Sequence, residues 1–302
     1  MSASLAAPLP EPSSGVCGEC PKQPWCALYG TLPAARSVHS LDLDVTEGCN
    51  LACGYCFKWQ KKPGHMTEEA AKHAIDWLLE ASGGSRDLKI TLMGGEPLLR
   101  FDLIQKIVPY GKLRARQQGK SLHFGCTTNC THLTDEMLAF WKRFGMGFHC
   151  SIDGIPEVQN ANRPFLGGGP SSAAVEKNVP KILSYRPEVM ARATISPFSV
   201  RSLFESAKYL AGLEFRSMTF KAAVNCNWRP EDFDALRHEY EKLGEFYLDR
   251  LLSGTPINID EFAKGLRAIH STAANSRFPR RRRQSGFPRR EQKTFRCRST
   301  HR

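Results

Sequence analysis

The 302-residue sequence lacks any apolar run close to the roughly 20 residues that a membrane-spanning helix requires. Residues 1–15 contain no basic residue, and Pro8 and Pro10 interrupt their short apolar stretch, so we expect no secretory signal. The composition, 41% hydrophobic and 24% charged, also lacks the extremes of collagen, coiled coils and disordered chains. We therefore expect a globular protein of the reducing cytoplasm, where eleven cysteines favour metal or redox chemistry over disulfides.

A charge imbalance is absent from most of the chain, although the net charge is +12. Residues 271–302 contain eleven basic residues and one acidic residue, which leaves a net charge of +2 for residues 1–270. The tail includes four consecutive arginines, Arg280–Arg283, and has no core-forming pattern. We predict a disordered, solvated or non-native terminus in preference to an RNA-binding arm, and we expect no nucleic acid partner for the folded part.

The apolar pattern between residues 38 and 252 alternates six times between strand and helix periods. Such alternation predicts an α/β fold with parallel strands and right-handed crossovers. Six units fit a partial (β/α)6 TIM-like barrel better than a closed eight-unit barrel, although a doubly wound sheet would give the same order of elements. The predicted strands are Val38–Val45, Leu88–Met93, Leu122–Thr127, Gly147–Ile152, Val189–Ile195 and Met218–Val224.

The same pattern predicts three segments. Residues 1–36 read as a flexible leader that contains Cys17, Cys20 and Cys26, either as an additional metal site or as unligated thiols. Residues 37–255 form the barrel. Residues 256–302 hold a remnant helix, Glu261–Ile269, followed by the disordered basic tail.

Three cysteines, Cys49, Cys53 and Cys56, follow the first predicted strand within eight residues. A loop at that position can wrap three thiolates around one metal centre. Cuboidal iron–sulfur clusters usually take four cysteines, so three leave one iron open to an outside ligand. The alternative is a structural zinc site whose fourth ligand comes from Cys17, Cys20 or Cys26.

A glycine-rich turn, Gly94-Gly95-Glu96-Pro97, ends the second predicted strand. Glycines at such a position let the backbone approach a ligand closely. Their carbonyl groups and the Glu96 carboxylate can accept hydrogen bonds from an ammonium group.

Together these motifs resemble the radical S-adenosylmethionine (SAM) superfamily, whose members space three cysteines in this way with an aromatic residue, here Tyr55, before the last. Thr128-Asn129 resembles its Thr-Asn-Gly motif, with Cys130 in place of glycine. Ser151-Ile152-Asp153-Gly154 resembles the Ser-x-Asp-Gly signature of the peptide-modifying branch. The resemblance covers residues 40–252 and is strongest to the anaerobic sulfatase-maturating and SPASM-type maturases.

The resemblance implies a [4Fe–4S] cluster held by the three cysteines, and SAM as the second cofactor. Arg192, a charged residue within an apolar predicted strand, stands where that branch places an arginine on the SAM carboxylate; the alternative is an internal salt bridge. Phe57 and Trp59 could flank the adenine or merely cover the loop. The residues expected to contact SAM are Tyr55, Phe57, Gly94, Gly95, Glu96, Asn129, Ser151, Asp153 and Arg192.

The implied activity is that of a radical SAM oxidoreductase or maturase. Such an enzyme cleaves SAM reductively, with an electron from flavodoxin or ferredoxin, and abstracts hydrogen from a peptide or protein. Gln159-Asn160 replace the expected His-Asp before Arg163, and only Cys226 and Cys297 follow the sixth strand, so the auxiliary-cluster domain is expected to be absent or truncated. The alternatives are a radical SAM enzyme for a small molecule or RNA, an inactive remnant, and a peptide-binding module.

Overall fold

The structure, a computed structural model, describes residues 37–58, 64–224 and 226–274. Four residues discussed above, Cys17, Cys20, Cys26 and Trp59, lie outside these ranges, as does the basic tail beyond residue 274 with Cys297. The predictions made for them therefore stay predictions.

The described strands form a parallel sheet whose strand order follows the chain. All six predicted strands are present, with ends that differ by at most two residues. The sequence pattern missed a seventh strand, because two residues are too few to show a period of two. The strands are β1 Ser40–Thr46, β2 Asp87–Gly94, β3 Ser121–Thr128, β4 Gly147–Ser151, β5 Met190–Ile195, β6 Ser217–Ala222 and β7 Asn258–Ile259.

Helices alternate with these strands, as the apolar pattern predicts. Thr67 caps the first helix by accepting a hydrogen bond from the Ala70 amide, 3.2 Å away. In the described ranges no helix is both long and apolar enough to cross a membrane. The helices are α1 Glu68–Ala81, α2 Phe101–Gln117, α3 Asp135–Phe144, α4 Pro156–Asn162, α5 Ser172–Glu176, α6 Val179–Tyr185, α7 Leu203–Gly212, α8 Pro230–Leu252 and α9 Asp260–Ala274, with 3₁₀ turns at Pro97–Arg100 and Val200–Ser202.

Two prolines affect the helices differently. The apolar pattern predicts one helix over residues 172–185, interrupted or kinked at Pro180. The structure has two helices there, α5 and α6, and Pro180 lies in the first turn of α6, where its missing N–H is no loss. The sequence predicts a kink at Pro109, which lies inside α2; the helix continues past it as one element.

The described chain divides into two compact units. The first contains residues 37–49, 64–127 and 135–147, with β1, β2 and most of β3 and helices α1 to α3. Alternate residues of its strands, such as Leu43, Ile90 and Phe124, are buried and form its core with apolar residues of the helices.

The second unit contains residues 50–58, 128–134, 148–224 and 226–274. Its β4, β5, β6 and β7 pair in that order, and β7 pairs with the start of β6 through Ser217–Asn258 and Met218–Ile259. Asn258 and Ile259 are therefore part of the sheet, and the helix that follows them, α9, is longer than the predicted Glu261–Ile269. The reason is tertiary: Ile259 is buried beside β6 although its local sequence shows no strand pattern.

Candidate cofactor site

The turn after β2 in the first unit packs directly on the chain that leads into the cysteine loop. The Gly95 amide donates to the Thr46 carbonyl at 2.7 Å, and the Glu96 amide donates to the Gly48 carbonyl at 2.8 Å. A Cβ atom at Gly95 would collide with the Gly48 carbonyl oxygen. Glycine is therefore required here by contact with the backbone that precedes Cys49, a reason different from the ligand approach expected from the sequence.

Glu96, expected to contact the SAM ammonium group, has only 1% of its surface exposed. One of its carboxylate oxygens, Oε1, accepts a hydrogen bond from the Leu98 amide at 3.0 Å and so caps the following 3₁₀ turn. Burial, and in addition the charge of Glu96, raise the pKa of the Cys126 thiol well above its ordinary value. Cys126 is thus a buried, protonated thiol, as its position in an apolar strand predicts, and the cofactor role of Glu96 stays a prediction.

The cysteine loop after Cys49 belongs to the second unit, where its backbone is tied to the segment 162–166. The side chains of Cys49, Cys53 and Cys56 are partly exposed and form no disulfide. The loop is therefore anchored through its backbone, and its three cysteines are partly exposed. The anchoring hydrogen bonds run from Ala52 N to Pro164 O (2.8 Å), from Gly54 N to Asn162 O (3.1 Å) and from Leu166 N to Asn50 O (2.8 Å).

The donor set of this loop, three thiolates, fits a cuboidal iron–sulfur cluster. Within residues 37–58, 64–224 and 226–274, no three His, Cys, Asp or Glu side chains are grouped so that they could hold one metal ion. Zinc needs its ligands to converge on one point, whereas each cysteine of a cuboidal cluster binds a different iron. Three partly exposed thiols on one anchored loop match the second requirement.

Asp153, at the end of β4, is the centre of a buried hydrogen-bond network. Its Oδ2 accepts from the Tyr55 hydroxyl at 2.6 Å and from Asn162 Nδ2 at 3.2 Å. Its Oδ1 accepts from the Thr194 amide and from Arg163 Nη2, both at 2.9 Å. The Asp153 side chain is 0% exposed, and its predicted contact with SAM stays a prediction.

The Tyr55 hydroxyl joins this network to the cysteine loop. Burial and the charges of Asp153 and Cys53 raise the pKa of Tyr55 well above its ordinary value, although Arg163 lowers it. The phenol therefore stays protonated and donates to Asp153. The Arg163 guanidinium carbon lies 5.3 Å from the centre of the Tyr55 ring.

The residues that replace His-Asp have structural partners of their own. Gln159 accepts from the Asp153 amide at 2.9 Å and donates to Ser171 Oγ at 3.1 Å. Asn160 Oδ1 accepts from the amide of Ser172, the first residue of α5, at 2.8 Å. In this chain the substituted pair thus holds the polypeptide around Asp153 and α5.

The Cys130 substitution in the Thr-Asn-Gly motif occupies a left-handed backbone conformation, with φ +58°. Glycine adopts that conformation without strain, which explains why the related motif has glycine. The neighbouring Asn129 is buried; its Nδ2 donates to Asn50 Oδ1 at 2.8 Å and its Oδ1 accepts from the Thr131 amide at 3.0 Å. Asn129 thereby supports the start of the cysteine loop within the same unit.

Arg192 pairs in register with Ser151 between β5 and β4. Its neighbours Ala191 and Ala193 are buried, whereas Arg192 itself is exposed. An apolar strand around a charged residue predicts a buried guanidinium, and this prediction is wrong, because the strand alternates and Arg192 lies on the face opposite to the two alanines. Among the described residues its side chain has no hydrogen bond or ion pair, so they do not supply the internal salt bridge.

Phe57, the other aromatic residue of the loop, is 67% exposed, and the Lys58 ammonium lies 5.8 Å from the centre of its ring. Sequence reasoning missed Asn50 and Asn162. An asparagine in a loop carries no signal of a long-range partner, and only the folded chain reveals these contacts.

Comparison with known proteins agrees with this geometry. Residues 43–198, more than half of the chain, match the radical SAM superfamily. An uncharacterized protein of Methanocaldococcus jannaschii is 32% identical over 180 residues, which are 60% of this chain and 61% of the relative. The cysteine-type anaerobic sulfatase-maturating enzyme of Clostridium perfringens is 23% identical over 72% of this chain and 62% of its own. The serine-type enzyme of Bacteroides thetaiotaomicron is 29% identical over 64% and 48%.

Solved structures show the same fold. A structure described as native anSMEcpe with bound AdoMet has a TM-score of 0.67 at 21% identity and covers 74% of this chain and 64% of that chain. Streptococcus suis SuiB bound to precursor peptide SuiA has a TM-score of 0.57 at 12% identity, over 74% and 48%. This chain thus spans about half to three fifths of the curated relatives.

The expected α/β fold and family are confirmed, and the family's cofactors are a [4Fe–4S] cluster and SAM. The match includes the cysteine loop, the turn after β2, the end of β4 and the whole of β5, which contains Arg192. This chain is a member of the radical SAM superfamily.

Proposed function

We propose that this chain uses a [4Fe–4S] cluster, held by Cys49, Cys53 and Cys56, to cleave SAM reductively and to abstract hydrogen from a peptide or protein side chain. The observation that carries the proposal is the cysteine loop. Its backbone is anchored to residues 162–166, while its thiols stay partly exposed. When bound, the cluster would supply one electron to SAM, and the protein supplies binding, orientation and exclusion of water.

Arg192 is our candidate for the SAM carboxylate. It is exposed, it has no partner among the described residues, and its planar guanidinium matches a carboxylate in shape and charge. Its neighbour in register, Ser151, is half-buried and supplies a hydroxyl group beside it. A cation and a hydroxyl on adjacent strands suit the polar end of an amino acid moiety.

The peptide substrate is supported by the relatives. Two of them are sulfatase-maturating enzymes, and the SuiB structure contains a precursor peptide. We further propose that the reaction runs in the cytoplasm with flavodoxin or ferredoxin as the electron donor, as the family resemblance implies.

A nucleotide is the second candidate substrate. A probable GTP 3',8-cyclase of Methanopyrus kandleri is 46% identical over 72 residues, 24% of this chain, and an S-adenosylmethionine-dependent nucleotide dehydratase is 26% identical over 131 residues. Incubation of the reconstituted protein with GTP separates the two candidates. Consumption of GTP that depends on SAM would favour a nucleotide substrate. An unchanged amount of GTP would favour the peptide substrate.

The direct test is anaerobic reconstitution with iron and sulfide. We expect about four irons per chain, the content of one cuboidal cluster, and formation of 5'-deoxyadenosine on addition of SAM and dithionite. Cys53→Ala should lose both, because one cluster ligand is missing. Cys226→Ala, a partly exposed cysteine elsewhere in the second unit, is the matched control and should keep both. Retention of iron and SAM cleavage by Cys53→Ala would reject the assignment of the ligands.

Arg192→Lys tests the proposed carboxylate contact. The variant should keep its iron and bind SAM about 1.5–3 kcal/mol more weakly, the range for a hydrogen bond to a charged group. Titration calorimetry measures the affinity, with Arg186→Lys as a control on the exposed pair with Glu188. Equal SAM affinity in wild type and Arg192→Lys would remove Arg192 from the site.

A further inference from the structure

A buried ion pair lies against the cysteine loop. The Arg163 and Asp153 side chains are 10% and 0% exposed, and Arg163 Nη2 lies 2.9 Å from Asp153 Oδ1. The guanidinium carbon is 5.3 Å from the ring of Tyr55, the residue before Cys56. The backbone bond from Gly54 N to the carbonyl of Asn162 fixes this part of the loop beside Arg163.

The charge of Arg163 acts on the loop itself. Burial lowers the pKa of Arg163, but the charges of Asp153, Tyr55 and Cys53 raise it well above its ordinary value. The guanidinium lies beside Tyr55 and next to the residue whose carbonyl binds Gly54, so it is placed to stabilise negative charge on this part of the loop. Such an effect is stronger inside the protein than in water, because the local dielectric constant is lower.

Arg163 is also more than a partner for Asp153. Its Nε–H is buried and has no acceptor among the described residues. A buried donor without a partner is unfavourable, and a purely structural ion pair would not require it. Among the described residues, the guanidinium thus has one donor that Asp153 does not use.

We propose that the Arg163 guanidinium raises, and the Asp153 carboxylate lowers, the reduction potential of the cluster held by the cysteine loop. The inference rests on the proposed function. Reduction adds one electron and therefore one negative charge to the cluster, so a nearby cation favours the reduced form and a nearby anion opposes it. Arg163 and Asp153 are thus tuning and positioning residues, not groups that contact substrate.

The test is a redox titration of the full-length reconstituted protein with dithionite and low-potential mediators, followed by electron paramagnetic resonance of the reduced cluster. Arg163→Gln should lower the midpoint potential, and Asp153→Asn should raise it. At a fixed potential, each substitution should change the ratio of reduced to oxidised cluster at least tenfold. A tenfold change corresponds to a shift in midpoint potential of about 59 mV for a one-electron couple. Arg163→Lys keeps the charge and should stay near wild type.

Controls separate electrostatics from damage to the fold. Arg186→Gln, in the exposed pair with Glu188 of the same unit, should leave the potential unchanged. If Asp153→Asn does not fold, the double variant Arg163→Gln/Asp153→Asn leaves no unpaired buried charge, and its potential should lie above that of Arg163→Gln alone.

The outcomes are distinguishable. Opposite shifts for the two single variants support the proposal, because structural disturbance does not reverse sign with the charge that is removed. Shifts in the same direction, or none, in variants that keep their iron would overturn it and leave the proposed function intact. A wild-type protein that takes up no iron under reconstitution would overturn both.

Discussion

The two units fix their strand-end segments in different ways. In the first unit, the turn after β2 is held against the end of β1 by backbone hydrogen bonds, and Gly95 makes the contact possible. In the second unit, the end of β4 is held to the cysteine loop by side chains that converge on Asp153. The close backbone contact requires a residue without a side chain at position 95. The buried network requires particular polar atoms at the positions around Asp153.

The difference teaches which substitutions each region tolerates. A close backbone contact depends on space, so any Cβ atom disrupts it regardless of its chemistry. A buried network depends on satisfied hydrogen bonds. Removing one acceptor therefore leaves every donor that bonds to it without a partner. Both requirements apply at Gly154, which directly follows Asp153. Its φ is +135°, and a Cβ atom there would collide with Ser206, so glycine is needed beside the buried network.

The largest expected effect is that of Asp153→Ala in the second unit. It leaves the buried Arg163 cation without its counter-charge, and breaking a buried pair in this way costs about 4 kcal/mol. The free energy of unfolding from urea denaturation should fall by that amount. Asp234→Ala, an exposed residue of α8, should change it by about 0.5 kcal/mol or less. A fall of about 1 kcal/mol or less for Asp153→Ala would mean that the network does not hold this unit together.

Gly95→Ala tests the backbone contact of the first unit. The added methyl group meets the Gly48 carbonyl oxygen, so the turn must move, and we expect a loss of about 3 kcal/mol. Gly84→Ala is the control, because a Cβ at Gly84 has nothing within 4 Å. The two variants are compared by their urea midpoints. Equal midpoints would show that the turn after β2 can shift without cost.

Tyr55→Phe sharpens the comparison, because it removes one hydroxyl group and keeps the ring beside Arg163. The lost hydrogen bond to a carboxylate should reduce the free energy of unfolding by about 2 kcal/mol. Tyr247→Phe is the control; the Tyr247 ring packs on Phe262, and its hydroxyl has no hydrogen bond among the described residues. An effect no larger than that of the control would show that Asp153 is satisfied without Tyr55.

Local patterns predicted much of this protein. Six strands follow from alternating apolar residues, and most helices follow from apolar residues spaced by three or four positions. The pattern failed where tertiary contacts dominate: β7 has only two residues, and α4 lies in a segment without helical periodicity. Arg192 was assigned to the correct strand and to the wrong degree of burial, since strand membership alone does not say which face is covered.

The spacing of Cys49, Cys53 and Cys56 was enough to identify the family, because ligands on one short loop are neighbours in any fold. The order of the strands in the sheet likewise follows the chain, because each strand lies beside the next one in the sequence. Only the tertiary structure showed that Asp153 is a buried acceptor for Tyr55, which is 98 residues away along the chain. A sequence pattern records which residues can form such bonds, but burial and convergence arise when distant segments pack, and these decide which bonds form.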